Sequence, residues 1–308
     1  MSNEVERWKT LDAASYDDVA ERFDVISTRL STGAARRLIE LARVRAGDHV
    51  LDVGTGAGLL PFELLRSPVV PGPIVGIDIS RGMIAAARKK AAAQGVDGPR
   101  LRFEEMDAER LEFDDARFDV VLSAFALTHV PHPPAALAEM RRVLRPGGRV
   151  AIAVGSRPPL VSAAGAVHAV REVRRRIQQA RGRRLTTDLL DRLVEEEYGP
   201  AAHDDLPRGS ALSHELNRAG LLAGLVAEAG FTDVRVSWRN YQNEIATAEE
   251  FWDVHRTIRS DARKRLLDAP EATIARVRER FMERCRRTVE QGGVLAFPIS
   301  AVFVVAER

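Results

Sequence analysis

The stretch His49-Val50-Leu51-Asp52-Val53-Gly54-Thr55-Gly56-Ala57-Gly58 decides the fold. A short apolar run carries a carboxylate near its end, and three glycines then alternate with small residues. The pattern predicts a buried strand that stops at Val53 and a tight turn that opens a helix near Leu59. Glycine reaches backbone dihedrals closed to other residues and lets a ligand touch the main chain. Amides at the start of the helix add donors for that ligand. About twenty residues on, Ile74-Val75-Gly76-Ile77 ends in Asp78, an acid at a strand tip that suits the two hydroxyls of a ribose. Glycine turn and strand-tip acid together read as a nucleoside-cofactor site.

The details of the turn narrow the ligand. The dinucleotide fingerprint is G-x-G-x-x-G. Here the third glycine comes one residue early, and Leu59 stands where that fingerprint has glycine. Asp52 would repel a pyrophosphate and would suit a ligand with an ammonium group. S-adenosylmethionine carries an ammonium, a sulfonium and a ribose, and no phosphate.

Residues 48–155 resemble a class I S-adenosylmethionine-dependent methyltransferase of the small-molecule type, closest to those of quinone, lipid and secondary-metabolite pathways. The resemblance rests on Val50–Gly58, Gly76-Ile77-Asp78-Ile79-Ser80, Met106-Asp107-Ala108-Glu109, Phe118-Asp119-Val120-Val121 and Glu139–Gly148. It implies S-adenosylmethionine as cofactor, S-adenosylhomocysteine as product, and O- or C-methylation of a small molecule. It also implies roles for single residues. Asp52, Gly54, Thr55, Gly56 and Gly58 form the cofactor turn, and Asp78 binds the ribose. Ile79 and Met83 wall the adenine, although Met83 serves equally well as plain core. Asp107 accepts from the adenine amino group beside the Ala108 amide, and Ser123 and Phe125 flank the methionine arm.

With 308 residues, 45% hydrophobic and 29% charged, the chain suits an α/β domain with insertions. A net charge of +2 does not by itself point to a polyanionic partner. The single cysteine, Cys285, excludes an intrachain disulfide and fits a reducing compartment. Met1 to Asp12 has no apolar signal core, and no stretch approaches a membrane span. These features point to the cytoplasm. The oligomeric state is open.

Along the chain, apolar and helical patterns alternate. Strands are expected at His49–Val53, Ile74–Asp78, Leu101–Glu105, Asp119–Ser123 and Arg149–Val154, with helices from Leu59, over Arg81–Gln94 and over Pro133–Leu144. Strands separated by helices pair in parallel, with right-handed crossovers. A further helix at Leu221–Ala229, a strand at Phe231–Trp238 and a last strand near Ile299–Ala306 complete a doubly wound, mostly parallel seven-stranded α/β sheet. The resemblance makes its last strand antiparallel. Four regions follow. Residues 1–32 are an N-terminal segment, with a short helix over Tyr16–Leu30, and by resemblance it folds over the active site. Residues 33–155 are the cofactor core, beginning with a helix at Gly33–Val44. Residues 156–218 are a helical insertion, by resemblance a lid. Residues 219–308 complete the core around a second helical insertion at 248–290.

His129 follows the fourth strand, where a methyl group would be delivered. It has two readings, a general base or a packed histidine before Pro131. His168, Tyr198, His203 and His214 in the insertion are further acceptor-facing candidates. Seven arginines between Arg171 and Arg184 would suit RNA phosphates, but acids from Asp188 to Glu197 nearly balance them, so nucleic acid is not the expected partner. No His and carboxylate cluster suggests a metal. Two rivals stay open beside RNA methylation: a nicotinamide oxidoreductase, which the turn disfavours, and a cofactor-binding relative without methyl transfer, such as a cyclase.

Overall fold

The computed structural model describes residues 2–155, 188–198, 219–258, 260–267 and 269–308, with Leu216 and isolated positions between 169 and 185. The chain forms two compact units. Unit 1 comprises Met1–Pro159, Gly209–Arg239 and Ser300–Arg308, and unit 2 comprises Leu160–Arg208 and Asn240–Ile299.

The elements of unit 1 begin with two helices, α1 (Ser2–Asp17) and α2 (Ala20–Ala42). The alternating part follows as β1 (Val50–Val53), α3 (Leu59–Leu65), β2 (Ile74–Asp78), α4 (Arg81–Ala93), β3 (Leu101–Glu105) and β4 (Phe118–Ala124). A short 3-10 turn, Leu127–His129, leads into α5 (Pro133–Val143) and β5 (Leu144–Gly155). After the insertion, α6 (Leu189–Tyr198) lies in unit 2, and α7 (Ala219–Glu228) returns to unit 1 ahead of β6 (Thr232–Tyr241).

The sheet runs β3-β2-β1-β4-β5-β9-β6, where β9 is Ile299–Glu307. β1 pairs in parallel with β2 and with β4, so the strand order reverses between β1 and β4. In such sheets ligands bind at that reversal, outside the carboxyl ends of the strands. β9 lies antiparallel to β5, from Arg149 opposite Glu307 to Gly155 opposite Ala301. All four residues of β1 are buried, as expected of a strand covered on both faces. One core joins Leu51, Val53 and Val121 to Ala136, Leu137 and Met140 of α5 and to Leu222 and Val226 of α7.

Two boundaries differ from expectation. β5 begins at Leu144, because Leu144 pairs with Phe118 before the register breaks and resumes with Arg149 opposite Val120. The Gly147 amide donates to the Arg308 carbonyl at 3.1 Å, so the Pro-Gly-Gly turn stays tied to the sheet edge. At the N-terminus, the two expected helices of residues 16–44 are one. A continuous buried stripe, Ile26, Leu30, Ala34, Leu38 and Ala42, carries α2 through Gly33, at a propensity cost of about 1 kcal/mol. The break lies earlier, at Asp18-Val19, and a separate α1 precedes it.

Unit 2 contains α6, β7 (Glu244–Ile245), α8 (Ala248–Ile258), α9 (Ser260–Leu267), α10 (Glu271–Glu290) and β8 (Leu295–Ala296). β7 and β8 form a small antiparallel pair that the sequence pattern did not suggest. Its core is aromatic: Phe251, Trp252 and Phe281 pack together, with the ring centroids of His255 and Phe251 4.4 Å apart. Cys285 is buried, and burial pushes its thiol up to about 12, which keeps it protonated and unreactive. No described helix is long and apolar enough to cross a membrane.

Candidate active site

The glycine turn after β1 takes left-handed backbone at all three glycines, with φ of 71° at Gly54, 55° at Gly56 and 89° at Gly58. Two of them are also needed for space. A Cβ on Gly54 would lie 2.1 Å from the Ala126 Cβ, and one on Gly58 would lie 2.7 Å from the Phe62 ring. The turn is closed by the Thr55 amide on the Ile77 carbonyl at 2.8 Å. It thereby joins the ends of β1 and β2.

Asp78, at the tip of β2, is held from both sides. Its Oδ2 accepts the Gly56 amide at 2.8 Å and its Oδ1 accepts the Ser80 amide at 3.0 Å. Ser80 caps α4, its hydroxyl accepting the Met83 amide at 3.1 Å. With Ser80 as the cap, the Asp78 carboxylate is left to organise the turn. Burial raises its pKa, the two amides and His129 oppose that rise, and Asp12 adds to it. Each oxygen still has accepting capacity for a further donor.

Asp52 is 1% exposed, and neither of its oxygens has a hydrogen-bond partner among the described residues. Burial pushes it up to about 7, the Thr55 hydroxyl opposing and the charge of Asp78 adding to the rise. The Ser123 hydroxyl is likewise buried without a partner among the described residues, and the Thr55 hydroxyl lies close enough to Asp52 to oppose its rise but outside hydrogen-bond geometry. Buried polar groups are ordinarily satisfied, so three orphaned oxygen-bearing side chains near the β1 and β4 tips fit a ligand that brings its own donors. An ammonium group beside Asp52 meets that description. Phe125, just past β4, holds φ of 61°, a strained conformation for an aromatic residue and a feature of functional sites.

Helix α1 crosses this edge; the resemblance placed the N-terminal segment over the active site without naming the residues that would touch it. Asp12 Oδ2 lies 3.1 Å from His129 Nδ1, and Tyr16 Oη lies 3.3 Å from His129 Nε2. With the carboxylate accepting, Nδ1 carries the proton and Nε2 accepts the phenol proton. Lys9 donates to Asp107 Oδ2 at 2.7 Å and to Glu109 Oε2 at 2.8 Å. Burial lowers the Lys9 pKa, but these two hydrogen bonds outweigh it and leave it raised. Asp17 accepts the Ser80 hydroxyl at 2.6 Å and the Gly82 amide at 2.8 Å. Gly82 is required here, since a Cβ would lie 2.6 Å from the Asp17 Cα.

The remaining residues divide by burial. Ile79 is 41% exposed beside Asp78, whereas Met83 is 2% exposed and packs with Ala20 and Ala57. Ala108 packs against the main core. Thus the turn, Asp52, Asp78, Ser123, Phe125 and His129 meet at the carboxyl edge of β1, β2 and β4, with Asp107 after β3. His168, His203 and His214 lie outside the described residues, as do residues 199–215 of the insertion.

Residues 51–152 match the family model described as a methyltransferase domain. Over 150 residues the chain is 38% identical to the ubiquinone/menaquinone biosynthesis C-methyltransferase UbiE of Stutzerimonas stutzeri, an alignment of 47% of this chain and 58% of the relative. The chain therefore spans somewhat over half the length of that relative. Among solved structures, the [4+2]-cyclase SpnF is similar with a TM-score of 0.54 and 16% identity, over 96% of this chain and 94% of that one. A phosphoethanolamine N-methyltransferase of Haemonchus contortus, solved with S-adenosylhomocysteine, has a TM-score of 0.52 and 15% identity, over 95% of this chain and 57% of that one. Likeness at these identities concerns the fold alone.

Proposed function

We propose that this chain, whose residues 51–152 match a methyltransferase-domain model, moves the methyl of S-adenosylmethionine to an O or C atom of a small, hydrophobic or aromatic metabolite. The observation that carries the reading is Asp52, a buried carboxylate with no hydrogen bond in good geometry among the described residues, beside the glycine turn and Asp78. An ammonium group supplies the donors it lacks, whereas a pyrophosphate would meet two carboxylates. The quinone C-methyltransferase among the relatives supports an aromatic acceptor.

When bound, the cofactor supplies an already electrophilic methyl on its sulfonium. The chain's residues bind, align and exclude water. In this reading Asp52 faces the ammonium, Asp78 accepts from the ribose hydroxyls, and Ser123 and Phe125 line the methionine arm. Ile79 covers one adenine face, and Met83 supports the pocket from the core. Asp107 and the Ala108 amide recognise the adenine edge, with Lys9 fixing the Asp107 carboxylate. His129 has both ring nitrogens engaged, by Asp12 and Tyr16. We therefore assign it to positioning α1 and not to proton abstraction. The helical insertions at 156–218 and 248–290 carry acceptor choice. We place the protein in the cytoplasm, and expect a small molecule rather than nucleic acid as its partner.

The test is product formation from S-adenosylmethionine labelled on its methyl, with phenols, hydroquinones and enols as acceptors. Labelled product and matching S-adenosylhomocysteine are expected from at least one aromatic class. Cofactor binding without product from any class would favour the non-transferring alternative.

A further inference from the structure

Unit 2 holds a cleft of about 450 Å³ between α6 and α10 whose walls are dominated by arginine. Arg184, Arg192, Arg284 and Arg287 face it, and Leu189 and Leu193, 6% and 2% exposed, form its apolar floor. Among the described lining residues the one carboxylate is Glu196, which already pairs with Arg280. Arg287 is paired outside the lining with Glu283 at 2.6 Å, and Arg192 lies 3.7 Å from Asp188. Arg184 hydrogen-bonds the neutral amide of Gln242 at 3.0 Å. Arg284 makes no ion pair among the described residues. Thr288, 4% exposed, adds a hydroxyl to the same wall.

Among the described lining residues positive charge is in excess, four arginines against Glu196, and Glu283 and Asp188 outside the lining offset part of it; the remaining excess favours an anion. Guanidinium forks match the planar and tetrahedral oxygens of carboxylates and phosphates, with two hydrogen bonds per group. The size falls within the range of small-molecule pockets, which combine an apolar lining with a few convergent polar groups. We propose that this cleft binds a soluble organic phosphate monoester, its phosphate on Arg284 and the neighbouring arginines and its apolar body on Leu189 and Leu193. The site lies within unit 2, and neither Asp52, Asp78 nor the glycine turn takes part in it.

The experiment is calorimetry on the full chain in phosphate-free, low-salt buffer, with phenyl phosphate and inorganic phosphate as probes. Phenyl phosphate is expected to bind at least roughly threefold tighter than inorganic phosphate, because its ring covers the leucines. Arg284→Gln should weaken phenyl phosphate roughly tenfold, the usual effect of losing a charged hydrogen bond. Arg278→Gln, an exposed change on α10 outside the cleft, should leave it unchanged. S-adenosylhomocysteine titration reports folding, and both variants should match the parent. Arg192→Gln is the second cleft variant should Arg284→Gln misfold. Absence of phenyl phosphate binding, equal affinities for the two probes, or equal losses in Arg278→Gln and Arg284→Gln would overturn the proposal. So would tight RNA binding, or sedimentation with phosphatidic acid vesicles, that depends on Arg284, because the ligand would then be a macromolecule or a lipid surface.

Discussion

Asp52 concentrates the physics of the site in one side chain. Sequence marks it as an acid at a strand end, but its isolation from donors depends on what packs around it. Its folded pKa is about 7 against an ordinary 3.8. A carboxylate with a raised folded pKa binds extra protons in the folded state. Its contribution is favourable at low pH and is lost as pH rises through about 7, so the ligand-free protein weakens across that window. Asp52→Asn removes this titration. At pH 8 the variant should be more stable than the parent by up to about 2–4 kcal/mol, and the two should converge near pH 4. The same change removes the counter-charge of an ammonium ligand, so S-adenosylhomocysteine affinity should fall roughly tenfold or more. Melting at both pH values, with calorimetry at pH 8, checks the pair. An equal melting shift at both pH values would contradict the assignment of the buried charge.

At the scale of elements, α1 is the part whose individual contacts become visible only in three dimensions. It reaches the site through Lys9, Asp12, Tyr16 and Asp17, whose partners lie 98 residues away for Lys9 and 117 for Asp12. No local pattern connects such positions. By contrast the strand–turn–helix units were legible, because apolar runs and glycines act within a few residues of each other. Engagement of Asp78 by Gly56 falls between these cases: both residues stood out, but the hydrogen bond between them needs β1 and β2 paired in register. If His129 positions α1, His129→Ala should speed amide exchange over residues 2–17, lower the melting temperature by about 2–4 °C per kcal/mol lost, and weaken cofactor binding several-fold. Turnover at saturating cofactor should change little. A fall in kcat of roughly 10²–10⁴, the range for loss of a general acid or base, with unchanged exchange over α1 and unchanged cofactor affinity, would make it the base.

Across the whole molecule, the sheet order β3-β2-β1-β4-β5-β9-β6 leaves the carboxyl ends of β1, β2 and β4, with the glycine turn, Asp78 and Ser123, on one edge. That edge was readable because parallel strands with helical crossovers leave their carboxyl ends together. The helical parts of unit 2 were readable as insertions, but not in their packing or their ligands, since amphipathic helices specify a buried face without specifying a partner. The central claim is that this edge holds an ammonium-bearing nucleoside and not a dinucleotide. Calorimetric titration of the parent and of Asp78→Ala with S-adenosylhomocysteine and with NAD tests it most directly. The account predicts binding of S-adenosylhomocysteine to the parent, a loss of roughly tenfold or more in Asp78→Ala, and no response to NAD. Tight NAD binding with no response to S-adenosylhomocysteine would contradict it.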